Sequence, residues 1–317
     1  MRLKNSGIVF EKREQNIVDD IYDKVQKMSE MTYEESCFLN GLVRYLKPKK
    51  ILEIGVAAGA STCVLLNAVK DNIEIVVHSV DWSREYYRNP SQMSGWRARE
   101  LFPNESRWNL HLGVDVSEVI EDSIKGGVDF LLLDTAHVHP AETLSFLSVF
   151  PYLTEDAVVV LHDVNLFSVQ EYSTSYATKL LLDSVVADKI TLNDFGEGYL
   201  HPNIAAFQIN ADTRQYINDV VRSLFFPWGM EEPERILRAT EDIFRDKYPG
   251  ELHELYLKSV KQNQNLYSRS VALNQPIVTF GQRALTIKRE LRAMCVMCLP
   301  SSWVAFLKRV RKTLTGK

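Results

Sequence analysis

The sequence is poor in the residues that staple a chain, anchor it in a bilayer or leave it unfolded. Four cysteines, Cys37, Cys63, Cys295 and Cys298, are too few and too scattered across 317 residues for a disulfide framework. Cys295 and Cys298 form a lone C-x-x-C inside an apolar, helix-like run. No second pair completes a zinc site, so the plain reading is two small core residues one turn apart, with a redox or zinc pair as the alternative. Free thiols point to a reducing, cytoplasmic setting. No stretch reaches the ~18 consecutive apolar residues of a membrane-crossing helix. Met1 to Lys12 mixes charges with Ile8, Val9 and Phe10 and lacks the apolar run of a secretory signal. There is no internal repeat and no low-complexity linker.

What is present is an ordinary globular composition. A hydrophobic content of 45% with 25% charged residues supports a sizeable core, in one large or two modest domains. The net charge of -4 is unevenly spread. From Arg283 to Lys317 nine basic residues face the single acid Glu290, a net of +8, which leaves -12 for residues 1–282. An acidic body with a basic tail argues against a nucleic-acid partner for the body.

Helical spacing of Ile17, Ile21, Val25 and Met28, then of Phe38, Leu39, Leu42 and Tyr45, predicts two helices over residues 14–47. Strands and helices then alternate. Ile51–Ile54, Ile73–Val80, Asn109–Gly113, Val128–Leu133 and Ala157–Leu161 read as strands, and Ser61–Val69, Ser117–Ile124 and Ala141–Tyr152 as helices. Ser173–Val186 reads as a helix, with Lys189–Leu192 and Asn203–Ile209 as last strands. Tyr216–Phe225, Pro233–Tyr248 and Leu252–Asn263 follow as helices. Near-continuous apolar strands between helices indicate a parallel sheet buried on both faces, a doubly wound α/β domain. The expected segments are an N-terminal helical part (1–47), the α/β domain (48–212), a helical extension (213–299) and a tail (300–317).

The first strand runs into Glu53-Ile54-Gly55-Val56-Ala57-Ala58-Gly59-Ala60-Ser61-Thr62. Gly55 lets backbone approach a ligand, and Gly59 lets the next helix pack close to the sheet. Glu53 can accept a hydrogen bond from a polar cofactor group, and Ser61 and Thr62 can cap the helix. The spacing is not the G-x-G-x-x-G of a dinucleotide loop, which argues against an oxidoreductase. It resembles the first motif of class I methyltransferases, an acid followed by x-G-x-G-x-G, with Ala57 at the middle glycine. The resemblance implies a Rossmann-like methyltransferase fold and S-adenosylmethionine as cofactor, with Glu53, Gly55, Ala57, Gly59 and Ser61 around it. It also implies that Asp81, at the end of the second strand, holds the ribose hydroxyls. Trp82 would lie against the adenine and Asp115 near the adenine amino group. For Asp115 the N-cap of the next helix stands as the alternative.

Val128–Leu133 delivers Asp134 at a strand end, His137 follows, and the next strand delivers His162 and Asp163. Neighbouring parallel strands lie about 5 Å apart, so these four side chains should converge beside the methyl donor, with Asp134 touching the cofactor as well. Two carboxylates and a histidine suit a hard cation such as magnesium, with Asp134, His162 and Asp163 as ligands. The metal would hold a substrate diol, and His137 would take the hydroxyl proton. Asn165 is a further candidate ligand, and His139 reads as a solvated loop residue. The D-x-x-H spacing is similar to that of metal-dependent sugar O-methyltransferases of macrolide maturation. His162 departs from the acid that family often carries there. The resemblance covers roughly residues 35–210 and implies a sugar or glycan acceptor. A non-catalytic member of the fold, in a membrane-associated glycan assembly pathway, is the alternative that Ala57 and His162 keep open.

Two further stretches stand out. Tyr86–Arg99 interleaves aromatics with arginines, as a lid over a polar substrate or as an exposed amphipathic helix. His201 lies in a turn that could line the substrate side. In the tail, Trp303, Phe306, Leu307, Val310 and Leu314 share one helical face opposite Lys308, Arg309, Arg311 and Lys312. That pattern fits a peripheral helix on an anionic membrane, with a lipid-linked glycan as acceptor, or a helix packed on another subunit or on the domain itself.

Overall fold

A computed structural model describes residues 10–169, 172, 174–192 and 203–274, with side-chain surroundings between 18 and 266. The chain divides into two units, Met1–Leu266 and Tyr267–Lys317. Of the second, only the end of a helix is described. The paired cysteines Cys295 and Cys298, His201 and the amphipathic tail lie outside the described residues.

The first unit is built on a seven-stranded sheet. Its strands are β1 (Lys50–Ile54), β2 (Val76–Asp81), β5 (Trp108–Leu112), β6 (Val128–Leu133), β7 (Leu153–His162), β8 (Lys189–Thr191) and β9 (Ile204–Gln208). They lie side by side in the order β5-β2-β1-β6-β7-β9-β8. The first five are parallel, and β9 and β8 close the sheet in antiparallel fashion. This is the Rossmann-like arrangement expected from the alternation of apolar strands and helices.

Period-two alternation in the central strands feeds two cores. Leu131, Leu133, Val159 and Leu161 pack in one cluster, while Phe130, Leu132, Val158 and Val160 pack in the other. Each face therefore needs a helical cover, which is why these strands read as unbroken apolar runs. The covers are α1 (Phe10–Val25), α2 (Tyr33–Leu46), α3 (Ala60–Ala68), α4 (Trp96–Leu101), α5 (Val116–Val119), α6 (Ala141–Val149) and α7 (Ala177–Ser184). After the sheet come α8 (Ala211–Gln215), α9 (Ile217–Ser223), α10 (Glu234–Lys247) and α11 (Gly250–Asn274). Val220, Val221, Phe244 and Tyr256 join the core shared with β6 and β7, so residues 213–266 belong to the same unit as the sheet.

Local sequence explains the starts of the helices that matter below. Thr32 caps α2 in a capping box: Thr32 Oγ1 accepts from Glu35 N at 3.2 Å, and Glu35 Oε2 accepts from Thr32 N at 2.7 Å. Asp115 caps α5 in the same way with Glu118. At the opposite edge, Asp129 accepts from the backbone N–H of Lys49 and Lys50, both at 2.8 Å, tying β6 to the start of β1.

Two local expectations change. The region after Tyr86 is not a long helix: β3 (Glu85–Tyr86) and β4 (Asn89–Met93) form an antiparallel hairpin before the short α4. The helix expected over 117–124 is a single α-turn followed by a π-turn, Ile120–Ile124. The helix expected over 216–225 is α9, and the short α8 precedes it as an additional element. Among the described residues no helix is long and apolar enough to cross a membrane.

Candidate active site

The C-terminal rim of the parallel strands opens into a cavity of about 750 Å³. Gly55, Ala57, Ser61, Asp81, Trp82 and Asp115 line one side of it, and Asp134, His137 and Asp163 line another. Glu53, Gly59 and His162 do not line it.

The loop after β1 is shaped by backbone requirements. Gly55 has φ +91, and a Cβ there would lie 1.7 Å from the carbonyl oxygen of Asp134, so only glycine fits. Gly59 has φ +89, and its Cβ would press on Ala98 Cβ at 3.0 Å and Gly95 Cα at 3.1 Å. Its role is close packing of α3 against the α4 segment. Ala57 holds φ +48, a left-handed conformation unusual for a residue with a side chain.

Glu53 corrects the sequence reading. Its carboxylate is fully buried and accepts from Ser61 Oγ at 2.6 Å, Thr62 Oγ1 at 2.7 Å and Ser79 Oγ at 2.5 Å. It organises the loop from beneath and offers nothing to the cavity. Burial, only partly offset by the three hydroxyls, pushes its carboxyl up to about 7. Ser61 and Thr62 therefore do not cap α3; Gly59 occupies the N-cap with no side-chain bond. Asp81 is also engaged by the loop: Oδ2 accepts from the N–H groups of Val56 (3.1 Å) and Ala57 (3.0 Å), and Oδ1 from Ser83 N (2.9 Å). A carboxylate has about four lone-pair sites, so capacity remains for a ligand hydroxyl. Trp82 beside it is 60% exposed and free to carry a flat ring. Asp115 is the N-cap of α5 and lines the cavity at once.

Asp134, His137, His162 and Asp163 do converge. His137 Nε2 lies 3.0 Å from Asp163 Oδ2 and 3.5 Å from Asp134 Oδ1. His162 Nδ1 lies 3.2 Å from Asp134 Oδ1 and 3.5 Å from Asp163 Oδ2. His137 and Asp163 sit at φ +57 and φ +58. The other two left-handed positions with side chains outside the cavity lining, Lys47 and Lys125, are helix C-caps, where this conformation is routine. The strained positions that lack such an excuse all border the cavity, as functional strain does.

Charge is crowded here. Burial opposes the charged form of His137, but hydrogen bonds to Asp163 and Glu142 and the charge of Asp134 outweigh it and push it up to about 10. His162, fully buried, is likewise held well above its ordinary value by Asp163, Asp134 and Glu35 against the burial term. Asp163 is held well below the usual carboxylate range: burial opposes this, but the charge of His162 and the bond from His137 prevail. The acids around His137 thus favour its charged form over the neutral imidazole a base requires. His139 also departs from expectation. It is 1% exposed, its backbone carbonyl accepts from Gly229 N at 2.8 Å, and burial drives its ring down to about 4. Asn165 neither lines the cavity nor joins the acid–histidine cluster.

Four site residues escaped the sequence reading. Glu35 Oε2 lies 3.3 Å from His162 Nε2, reaching the cluster from α2. Glu142 Oε1 accepts from His137 N at 2.6 Å and from Thr135 Oγ1 at 2.8 Å. Asn203 Nδ2 donates to Asp163 Oδ1 at 2.6 Å. Glu232 lines the cavity from the segment leading into α10. Of these, only Glu35 carried a signal, as the last position of a T-x-x-E capping box. Of the aromatic and arginine stretch, Tyr87 and Arg88 line the cavity, and Tyr87 Oη and Arg88 Nη2 both bond Glu30; Tyr86, Trp96, Arg97 and Arg99 do not line it.

Residues 52–164 match the family model described as a methyltransferase domain. The matched span starts on β1 and ends just past the acid–histidine pair of β7, so it contains both sides of the cavity rim described above. This segment is similar to methyltransferase domains. No curated protein matches the chain. Among solved structures, an O-methyltransferase from Streptomyces achromogenes involved in tomaymycin synthesis, in complex with S-adenosylmethionine, is 15% identical with a TM-score of 0.47. It covers 67% of this chain and 100% of its own. An O-methyltransferase from Bacillus cereus, in complex with S-adenosylhomocysteine, is 15% identical with a TM-score of 0.45 and covers 65% of this chain and 94% of its own. A methyltransferase from Podospora anserina with S-adenosylhomocysteine bound is 13% identical at a TM-score of 0.47, covering 62% and 88%. Further helices flank the matched segment on both sides, bringing Glu35 to His162 and Glu232 to the cavity lining.

Proposed function

We propose that the chain is an O-methyltransferase that moves a methyl group from S-adenosylmethionine to a sugar hydroxyl of a glycan or glycosylated small molecule, assisted by a divalent cation such as magnesium. The observation that carries this reading is the single cavity that joins the Gly55 loop to Asp134, His137 and Asp163. Its volume of about 750 Å³ lies in the range of small-molecule sites.

The residues present fit the cofactor. Trp82 offers an exposed ring face, and Asp81 and Asp115 offer carboxylate oxygens. When bound, S-adenosylmethionine supplies an electrophilic methyl on a sulfonium. The protein's part is to fix the nucleoside through the loop and to present the acceptor oxygen beside Asp134, since placement of the two reactants accounts for much of such a rate.

The acid–histidine cluster fits a hard cation. Asp134, His162 and Asp163 each offer one ligand atom, all within 4.8 Å of one another. Glu35 beside His162 Nε2 fixes that nitrogen as a donor and leaves Nδ1 facing Asp134 and Asp163, the arrangement that orients metal-binding imidazoles. A cation there would supply Lewis-acid polarisation of the acceptor diol. It would also engage the carboxylates that now hold the proton of His137. His137 reaches the cavity and is the residue placed to receive the acceptor's proton.

Calorimetry with S-adenosylmethionine and S-adenosylhomocysteine, followed by mass spectrometry of glycans incubated with the cofactor, tests the reading. Micromolar binding with a mass gain of one methylene on a sugar supports it. Binding without methylation of any glycoside would transfer the chain to the non-catalytic class. Added chelator should abolish turnover and leave cofactor binding intact.

A further inference from the structure

We propose that Glu35 is the positioning residue that makes His162 a metal ligand through Nδ1, and that the site so built takes a first-row transition cation, manganese or iron, over magnesium. The proposal rests on the reading of the acid–histidine cluster as a cation site and narrows the cation it takes. One oxygen of Glu35 has two tasks. Glu35 Oε2 accepts from Thr32 N at 2.7 Å, inside the capping box that starts α2, and lies 3.3 Å from His162 Nε2. Glu35 is 4% exposed and His162 is fully buried, so bulk water does not compete for the contact. The helix cap thus sets where that oxygen stands, and the oxygen sets which way the imidazole faces. A neutral ring that donates from Nε2 carries its lone pair on Nδ1.

Nδ1 in turn faces the two carboxylates of the cavity wall. It lies 3.2 Å from Asp134 Oδ1 and 3.5 Å from Asp163 Oδ2. Atoms bound to one cation at about 2.1 Å stand roughly 3.0 Å apart in an octahedral shell. Asn203 Nδ2 donates to Asp163 Oδ1 at 2.6 Å, which leaves Oδ2 for the shared position. Asp134 and Asp163 line the cavity, and His162 does not. The carboxylates therefore border the space from which a cation and its waters arrive, and the imidazole closes the ligand set from behind.

The donor set decides the cation. Magnesium is held by carboxylates, phosphates and waters in a near-ideal octahedron. Imidazole suits first-row transition cations, whose affinity for a given set of nitrogen and oxygen donors rises from manganese through iron to copper. Manganese stands lowest in that series, so it is the strictest probe of the imidazole's part. The orienting group comes from α2, ahead of the first strand, so the preference is built jointly by a flanking helix and the sheet.

The test is manganese binding by the full chain, read from the loss of the free ion's electron paramagnetic resonance signal, with magnesium as competitor. Pulsed resonance on the loaded protein looks for nitrogen coupling from a directly bound imidazole, and thermal melting confirms the fold. The wild-type protein should bind manganese about tenfold or more tighter than magnesium and show the coupling. His162→Asn, which offers a carbonyl oxygen in place of the ring, should lose the coupling and about tenfold in manganese affinity. Its magnesium affinity should stay within about threefold. Glu35→Gln keeps an acceptor for the α2 cap, so it should melt near wild type yet lose about tenfold in manganese affinity. Manganese loading without nitrogen coupling overturns the proposal, as does an unchanged manganese-to-magnesium ratio in His162→Asn. So does wild-type manganese affinity in Glu35→Gln. A chain that binds neither cation sinks the cation reading and the proposal together, and S-adenosylhomocysteine binding by that same chain would leave the cofactor reading standing.

Discussion

The two sides of the cavity are built on opposite terms. Around the loop, every acid is satisfied by the protein: Glu53 takes three hydroxyls and Asp81 three backbone N–H groups. Around Asp134, four carboxylates and two histidines share one small volume, and two of the strand-end residues sit on left-handed backbone. The first side spends its polar groups on holding a backbone shape. The second keeps charge concentrated at the cavity wall. Substitutions in the loop backbone should therefore register as stability, and those at His137 as activity.

The largest effect that would sharpen this contrast is on the loop. Gly55→Ala puts a methyl group into the Asp134 carbonyl, and should cost more than about 3 kcal/mol in urea denaturation. A variant as stable as wild type would show that the loop side is not a fixed shape. Next comes the charged side: His137→Ala should lower turnover by about 10²–10⁴-fold while cofactor affinity and melting temperature stay near wild type. Equal losses in binding and turnover would erase the division of labour. Smaller still, Glu35→Ala removes a helix-capping acceptor and leaves His162 Nε2 unpaired, which should cost about 2 kcal/mol. An unchanged stability would mean that His162 does not depend on α2.

The smallest expected effect is a pH dependence. The folded protein raises Glu232 from 4.5 to about 7. The neutral form is favoured on folding, so this contribution is complete below the unfolded value and is lost as pH rises through the folded one. Glu232→Gln removes that slope. It should match wild type at about pH 4 and be more stable at about pH 8. Identical pH profiles for the two proteins would mean that Glu232 is not strained by burial.

What could be read from the sequence follows the same division. The buried parallel strands announced themselves as apolar runs because both of their faces are covered. The convergence of Asp134, His137 and Asp163 follows from strand adjacency alone. Glu53 misled because a strand-end acid looks the same whether it faces a ligand or three hydroxyls beneath the loop, and those hydroxyls come from two other elements. The Asn89–Met93 strand carries no pattern at all, since every residue of it is exposed and only its pairing partner makes it a strand. His139 lost its solvent to the segment around Gly229, ninety positions away, and no local periodicity reports such a cover.

The tie from Arg235 through Glu118 to the Asp115 cap, like that from Glu35 to His162, has a practical corollary for anyone trimming this chain. An excised core running from Lys50 to Gln208 would retain every strand and the glycine loop, and could still fold into a recognisable sheet. It would leave behind Glu35, which contacts His162, and Glu232, which lines the cavity. The flanking helices are thus part of the cavity's frame, and a minimal chain that keeps the whole lining runs from Met28 through α10.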